Sequence, residues 1–198
     1  MRTMIQGGWV VGYNGLSHVL VPNGSVVFEG NKIIHVGRSF EGTIDRTIDA
    51  SGKLVSPGFI NCHLHAAVNA TQTVFIADCK LDYFGSNFIG YAAPRRGAAP
   101  NKSANTEVAA TYGMWSALRG GATTILSVGT MPGGPDAFTE VVGKLGVRAY
   151  LGPGFRSAEY VFDGDRVSRE WNEGKGQAGL SRAIEYAHKH DGASDGRI

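Results

Sequence analysis

The sequence has only two cysteines, Cys62 and Cys79, in 198 residues. That is too few for a disulfide framework, so stability has to come from an ordinary hydrophobic core. Cys62, inside an apolar run, reads as a small buried core residue. A charge excess of one sign is also lacking: 19 Lys plus Arg stand against 17 Asp plus Glu. This gives no electrostatic case for nucleic acid or an acidic membrane surface, and the one basic doublet, Arg95-Arg96, reads as a solvated turn. No apolar run approaches the roughly 20 residues of a membrane span, and the N-terminus lacks the apolar core of a secretory leader. A cytoplasmic protein is the expectation. A nucleophile elbow and a CxxC pair are missing as well. What the chain has in excess is glycine, 29 residues, about twice the usual share of roughly 7%. Such a content fits many short turns between strands.

The first stretch is β-rich. "MIQGGWVVG" and "HVLVPNGSVVFEGNKIIHVG" are short apolar runs cut by turn residues. Gly30-Asn31 between "SVVFE" and "KIIHVG" predicts a two-residue hairpin loop. Residues 1 to about 56 therefore read as a small antiparallel sheet unit, with His18 and His35 as strand surface or packing residues. After Pro57 the pattern changes. "FINCHLH" is an apolar strand, and a long irregular stretch follows it to about Asn105. A helix is predicted over "NTEVAATYGMWSALRGG", with Asn105 as N-cap, Val108, Tyr112, Trp115 and Leu118 at helical spacing, and Gly120-Gly121 as its stop. "ATTILSVG" is a strand, "PDAFTEVVGKLG" a short helix and "VRAYLGPG" a strand. A loop rich in charge and aromatics leads to a helix from about Gln177 to His190, after which "GRI" opens a fourth strand.

Alternating strands and helices predict a parallel α/β sheet or barrel. About 140 residues remain after the first unit, whereas an eightfold barrel needs about 250. The fold expected is thus α/β: an incomplete (β/α)8 TIM-type barrel over residues 57–198, holding the first three β/α units, preceded by part of a small β-sandwich domain over residues 1–56.

The sharpest feature is "PGFINCHLHAAVN", residues 57–69. Side chains alternate along a strand, so Phe59, Asn61, His63 and His65 share one face, and Ile60, Cys62 and Leu64 the other. At the C-terminal end of a barrel strand, where active sites form, two inward imidazoles one residue apart converge on one cation. Two ligands hold a metal poorly, so others have to come from elsewhere. His188 and His190 lie two apart on a helix and point to different faces, which argues against a shared metal there. "GPGFRS", residues 152–157, lacks the immediate helix that a phosphate cradle needs.

"LVSPGFINCHLH" resembles the first-strand signature of the amidohydrolase superfamily, in which a small β-sandwich domain leads into a metal-bearing barrel. "LRGGATTILSVGT" is similar to that family's junction between helix one and strand two, and "LGVRAYLGPG" to its third strand. The resemblance implies His63 and His65 as ligands of a divalent metal, zinc foremost, with iron, cobalt or manganese as alternatives and the number of ions, one or two, left open. The family's further ligands, its general base and the carboxylated lysine of some branches fall on later strands, which makes the chain read as an N-terminal portion. The loop "AAVNATQTVFIADCKLDYFGSNFIGYAAPRRG" is similar to that of the branch hydrolysing phenylureas and thiocarbamates. Its residues Asn69, Tyr83 and Phe84 are candidates for substrate contact, although packing of its aromatics on the barrel rim is the alternative. The implied activity is hydrolysis of a C–N bond in an amide, urea or carbamate of small-molecule size, through a metal-activated water. Two alternatives remain open: a deaminase of an aminated heteroaromatic ring in the same superfamily, and an inactive truncated fragment. A homo-oligomer is compatible with each.

Overall fold

The computed structural model describes residues 1–67, 106–129, 131, 134–163 and 166–198. Within them the chain forms two compact units, Met1–Gly58 and Phe59–Ile198.

The first unit is one five-stranded sheet built from β1 (Arg2–Tyr13), β2 (His18–Glu29), β3 (Lys32–Gly37), β4 (Arg46–Asp49) and β5 (Leu54–Val55). The hairpin predicted at Gly30-Asn31 is present: Glu29 pairs with Lys32, and Gly30 takes φ +60°, which glycine adopts without steric cost. β1, β2 and β3 form an antiparallel meander, but β4 and β5 both pair with β1 in parallel. The unit is therefore mixed rather than antiparallel. The segment after β3 returns to the far side of β1 instead of turning back on β3, and period-two alternation does not distinguish the two pairings. Thr3, Val10, Val27 and Ala50 are buried, whereas Leu20 and Ile33 remain largely exposed. β3 lies at an edge, and no second sandwich layer is found among the described residues.

The second unit carries a parallel three-stranded sheet, β6 (Phe59–Leu64), β7 (Ala122–Gly129) and β8 (Arg148–Pro153), in the order β6-β7-β8. Helix α1 (Thr106–Arg119) precedes β7, and α2 (Pro135–Leu145) joins β7 to β8. Pro135 opens α2, where a missing N–H costs nothing, and Gly146 closes it in the left-handed conformation. Leu64, Ala109, Ala110, Met114, Ile125, Phe138, Val141, Val142, Val147 and Ala149 form its core.

Four sequence expectations are corrected here. Three of the four apolar residues read as the spaced face of α1 do not form its buried face: Val108, Tyr112 and Trp115 are 62%, 45% and 45% exposed, whereas Leu118 packs partly buried against the core and Ala109, Ala110, Gly113 and Met114 are buried. The helix approaches so closely that a Cβ on Gly113 would lie 2.1 Å from the Ala66 carbonyl oxygen, so only glycine fits at that position. Cys62 is exposed rather than core. It shares the outer face of the edge strand β6 with Ile60, also exposed, and no described element covers that part of the face. The loop expected after β8 is a hairpin, β9 (Ala158–Asp163) paired with β10 (Arg166–Trp171), and α3 (Glu173–His190) starts four residues earlier than predicted. Asn172 caps α3 by accepting a hydrogen bond from the Lys175 amide. Finally, Ala193–Gly196 form a short helical segment, with Ser194 and Asp195 in the left-handed conformation, rather than leading into a strand, although the Arg197 carbonyl accepts a 2.7 Å hydrogen bond from Ala149 of β8. Asn105, Arg95-Arg96 and Cys79 lie outside the described residues.

Helices α2 and α3 are tied through Asp136, whose Oδ1 accepts from Lys189 Nζ at 3.0 Å and from His190 Nε2 at 2.7 Å. Lys189, then His190, hold the Asp136 carboxyl below its ordinary 3.8. A depressed carboxylate adds stability that is complete above the unfolded value and is lost as pH falls through the folded one. Asp136→Asn is therefore expected to flatten the fall of the urea midpoint below about pH 4, with only a small change at pH 7 because the pair is solvent-exposed. Parallel acid limbs for the two proteins would show that the clasp adds nothing.

Candidate metal centre

Residues 59–65 position the pair. Asn61 pairs with Ile125 and Leu64 with Ser127 of β7, and the register shifts between these two pairs. The chain leaves the strand at His65, with Ala66 held under α1. Inside the irregular step, the Asn61 side-chain oxygen accepts a 3.1 Å hydrogen bond from the His63 amide, which fixes the backbone where pairing is interrupted.

The two rings meet. His63 Nε2 and His65 Nε2 are 2.9 Å apart, with ring centroids 4.8 Å apart and planes at 69°. The other nitrogen of His65, Nδ1, is 2.9 Å from the carbonyl oxygen of Val128. A carbonyl only accepts, so Nδ1 carries the proton and donates. In the neutral ring this leaves Nε2 with its lone pair turned toward His63. Two imidazole nitrogens each bound to one ion at roughly 2.0–2.1 Å are separated by about 2.9 Å at a right angle and about 3.4 Å at the tetrahedral angle. The observed separation thus fits two arms of one centre. A histidine whose second nitrogen is held by a backbone carbonyl is also the usual second-sphere arrangement of metal-ligating imidazoles. Among the described residues no group of three or more His, Cys, Asp or Glu side chains converges, so these two supply only part of a donor set.

The other histidines are engaged elsewhere or stand apart. His18 packs on Tyr13 and His35 on Phe40, while His190 binds Asp136 and packs on Tyr186. His188 is exposed on α3. Asn69, Tyr83 and Phe84, expected to contact substrate, lie outside the described residues. Between the exit of β8, the start of α2 and helix α3, a cavity of about 540 Å³ is lined by Met131, Pro153, Gly154, Phe155, Arg156 and Arg182 among others, and neither His63 nor His65 is part of its wall. Glu159 and Lys175 form an ion pair at its wall. The Val128 carbonyl and the glycines around it escaped sequence reasoning, because a backbone acceptor has no residue-type signature.

No protein-family model matches the chain. Among curated proteins it is 32% identical over 173 residues to a 5-methylthioadenosine/S-adenosylhomocysteine deaminase of Thermococcus kodakarensis, covering 87% of this chain and 37% of that protein. It is 29% identical over 176 residues to a 5'-deoxyadenosine deaminase of Methanosarcina acetivorans, covering 89% of this chain and 36% of that one. The chain thus spans little more than a third of the length of these relatives. Among solved structures it matches the atrazine chlorohydrolase of Arthrobacter aurescens TC1 complexed with zinc, with TM-score 0.60 and 18% identity over 96% of this chain and 43% of that one. Molinate hydrolase matches with TM-score 0.52 and 23% identity over 79% of this chain and 31% of that one. These relatives and neighbours are amidohydrolase-superfamily proteins, and the structural likeness shows the fold, an α/β arrangement corresponding to part of their barrel.

Proposed function

We propose that this chain carries the first two metal ligands, His63 and His65, of a hydrolase that deaminates an aminated heteroaromatic ring. The observation that carries the reading is the 2.9 Å approach of the two Nε2 atoms with His65 Nδ1 held by the Val128 carbonyl. Net, water replaces the amino group on the ring carbon, ammonia leaves, and the product is the hydroxylated ring or its keto tautomer. A divalent ion, zinc in the first instance, supplies Lewis acidity and lowers the pKa of water when bound. Val128 holds the His65 imidazole in the tautomer that offers Nε2, and Asn61 fixes the backbone at His63.

Ring deamination is preferred to the urea or carbamate cleavage expected from the sequence, because curated relatives 32% and 29% identical to this chain are named as deaminases of adenosine-type compounds. Cleavage of a urea or carbamate stays as the second reading, supported only by the fold shared with molinate hydrolase. The test uses a protein of the relatives' length that contains this chain, loaded with zinc. Ammonia release from 5'-deoxyadenosine or methylthioadenosine, without hydrolysis of an aryl urea or a thiocarbamate, is expected. The reverse pattern would replace the first reading by the second.

A further inference from the structure

We infer that Gly129 is a positioning residue for the metal centre: its missing side chain lets the His65 ring lie against the end of β7 and reach the Val128 carbonyl. The inference rests on the ligand role proposed for His65. Three observations carry it. A Cβ built on Gly129 would stand 3.1 Å from His65 Nδ1 and 3.2 Å from Cε1, the edge of the ring that donates to Val128. The φ of Gly129 is +91°, a conformation that residues with a side chain rarely adopt. On its other side Gly129 is backed by Gly154: the Gly154 amide donates to the Gly129 carbonyl at 2.8 Å, and a Cβ on Gly154 would lie 2.8 Å from the carbonyl carbon and oxygen of Gly129. Gly129 is thus confined between the His65 ring and the backbone of the β8 exit. It cannot retreat from one without meeting the other.

The consequence is chemical as well as steric. A neutral histidine in water prefers the proton on Nε2, and here the Val128 acceptor, together with the approach of His63 Nε2 to His65 Nε2, holds it on Nδ1. A methyl group at position 129 forces the ring to give by a few tenths of an ångström along the edge that donates to Val128, which weakens that hydrogen bond and raises the share of the tautomer whose Nε2 is protonated and closed to the metal. Gly129 therefore selects the ligating tautomer of a residue 64 positions earlier in the sequence.

The test compares Gly129→Ala with Gly134→Ala. Gly134 has nearly the same φ, +92°, but a Cβ there meets nothing within 4 Å, so it reproduces the backbone strain without the contact. Imidazole 15N shifts of the 198-residue chain report the tautomer directly, and a Zn2+ titration followed on the same signals reports affinity. His65 should carry its proton on Nδ1 in the unaltered chain and in Gly134→Ala, with a clearly larger Nε2-protonated share in Gly129→Ala. Zn2+ affinity should fall in Gly129→Ala by roughly the 10–100-fold typical of a lost second-sphere partner. Should Gly129→Ala not fold, Gly154→Ala, which has no positive φ, is expected to shift the same equilibrium by pressing Gly129 toward the ring. An unchanged His65 tautomer in the folded variants, or an equal change in Gly134→Ala, would overturn the inference. Failure of the metal reading itself would look different: Zn2+ would leave both Nε2 signals unmoved in the unaltered chain, whatever the tautomer.

Discussion

Replacing His63 or His65 by alanine, in a protein of the relatives' length, is expected to abolish bound metal and turnover together. Each imidazole is proposed as a direct ligand, so its removal opens the coordination sphere and withdraws the acidity that a bound ion confers on water. The loss in metal affinity should exceed the roughly 10–100-fold seen when only a supporting partner is removed. Both variants should keep the fold, because His63 is exposed and His65 only half-buried in the present chain. Metal content by elemental analysis, alongside deamination rates, gives the answer. Retention of metal by both variants would place the centre on other residues. The 198-residue chain, with two of the ligands, is expected to bind zinc weakly and to show no turnover.

Gly113→Ala is expected to destabilise the second unit, against the ordinary rule for glycine in a helix. In an exposed helix interior this change gains about 1 kcal/mol. Here the new Cβ would lie 2.1 Å from the Ala66 carbonyl oxygen and 2.8 Å from its carbonyl carbon, both of them backbone atoms that cannot rotate away. Forced overpacking costs roughly 1–3 kcal/mol and sometimes more, so repulsion outweighs propensity. Relief requires α1 to lift or Ala66 to shift, and Ala66 is the residue after His65. Urea unfolding should therefore show a lower midpoint, with the His65 imidazole signals displaced in the native baseline. Gly174→Ala serves as the control: it is also helical, but its Cβ would meet only the Asn172 side chain at an ordinary 3.6 Å. It should be neutral or mildly stabilising. Equal or greater stability of Gly113→Ala would mean that the close helix approach is not a constraint.

These two cases mark what could be read from the residues alone. The histidine pair at the end of β6 was legible because i, i+2 spacing along extended chain turns both side chains the same way, and it does so here although the register of β6 shifts before Leu64 and the strand ends there. The hairpin at Gly30-Asn31 and the limits of α2 were legible for the same reason, since turn and cap residues act over a few positions. The buried face of α1 was not. Apolar periodicity picks out Val108, Tyr112, Trp115 and Leu118, whereas the packed structure buries Ala109, Ala110, Gly113 and Met114 with Leu118 only partly covered, a choice set by tertiary distance. The β9–β10 hairpin could have been found: Gly164-Asp165 separates two six-residue runs with β-branched and aromatic members, but their charges suggested a loop. Parallel pairing of β4 and β5 with β1 depends on chain return, to which alternation is blind. The Val128 carbonyl contact is a backbone property and left no trace in residue types.

The central claim is that one divalent ion sits on both histidines. Anomalous diffraction at the zinc edge, from crystals of the longer protein grown with zinc, tests it most directly. A peak within about 2.0–2.1 Å of His63 Nε2 and of His65 Nε2, with His65 Nδ1 still on the Val128 carbonyl, is the result expected. A zinc peak that touches neither imidazole, with the two rings still in mutual contact, would contradict the account.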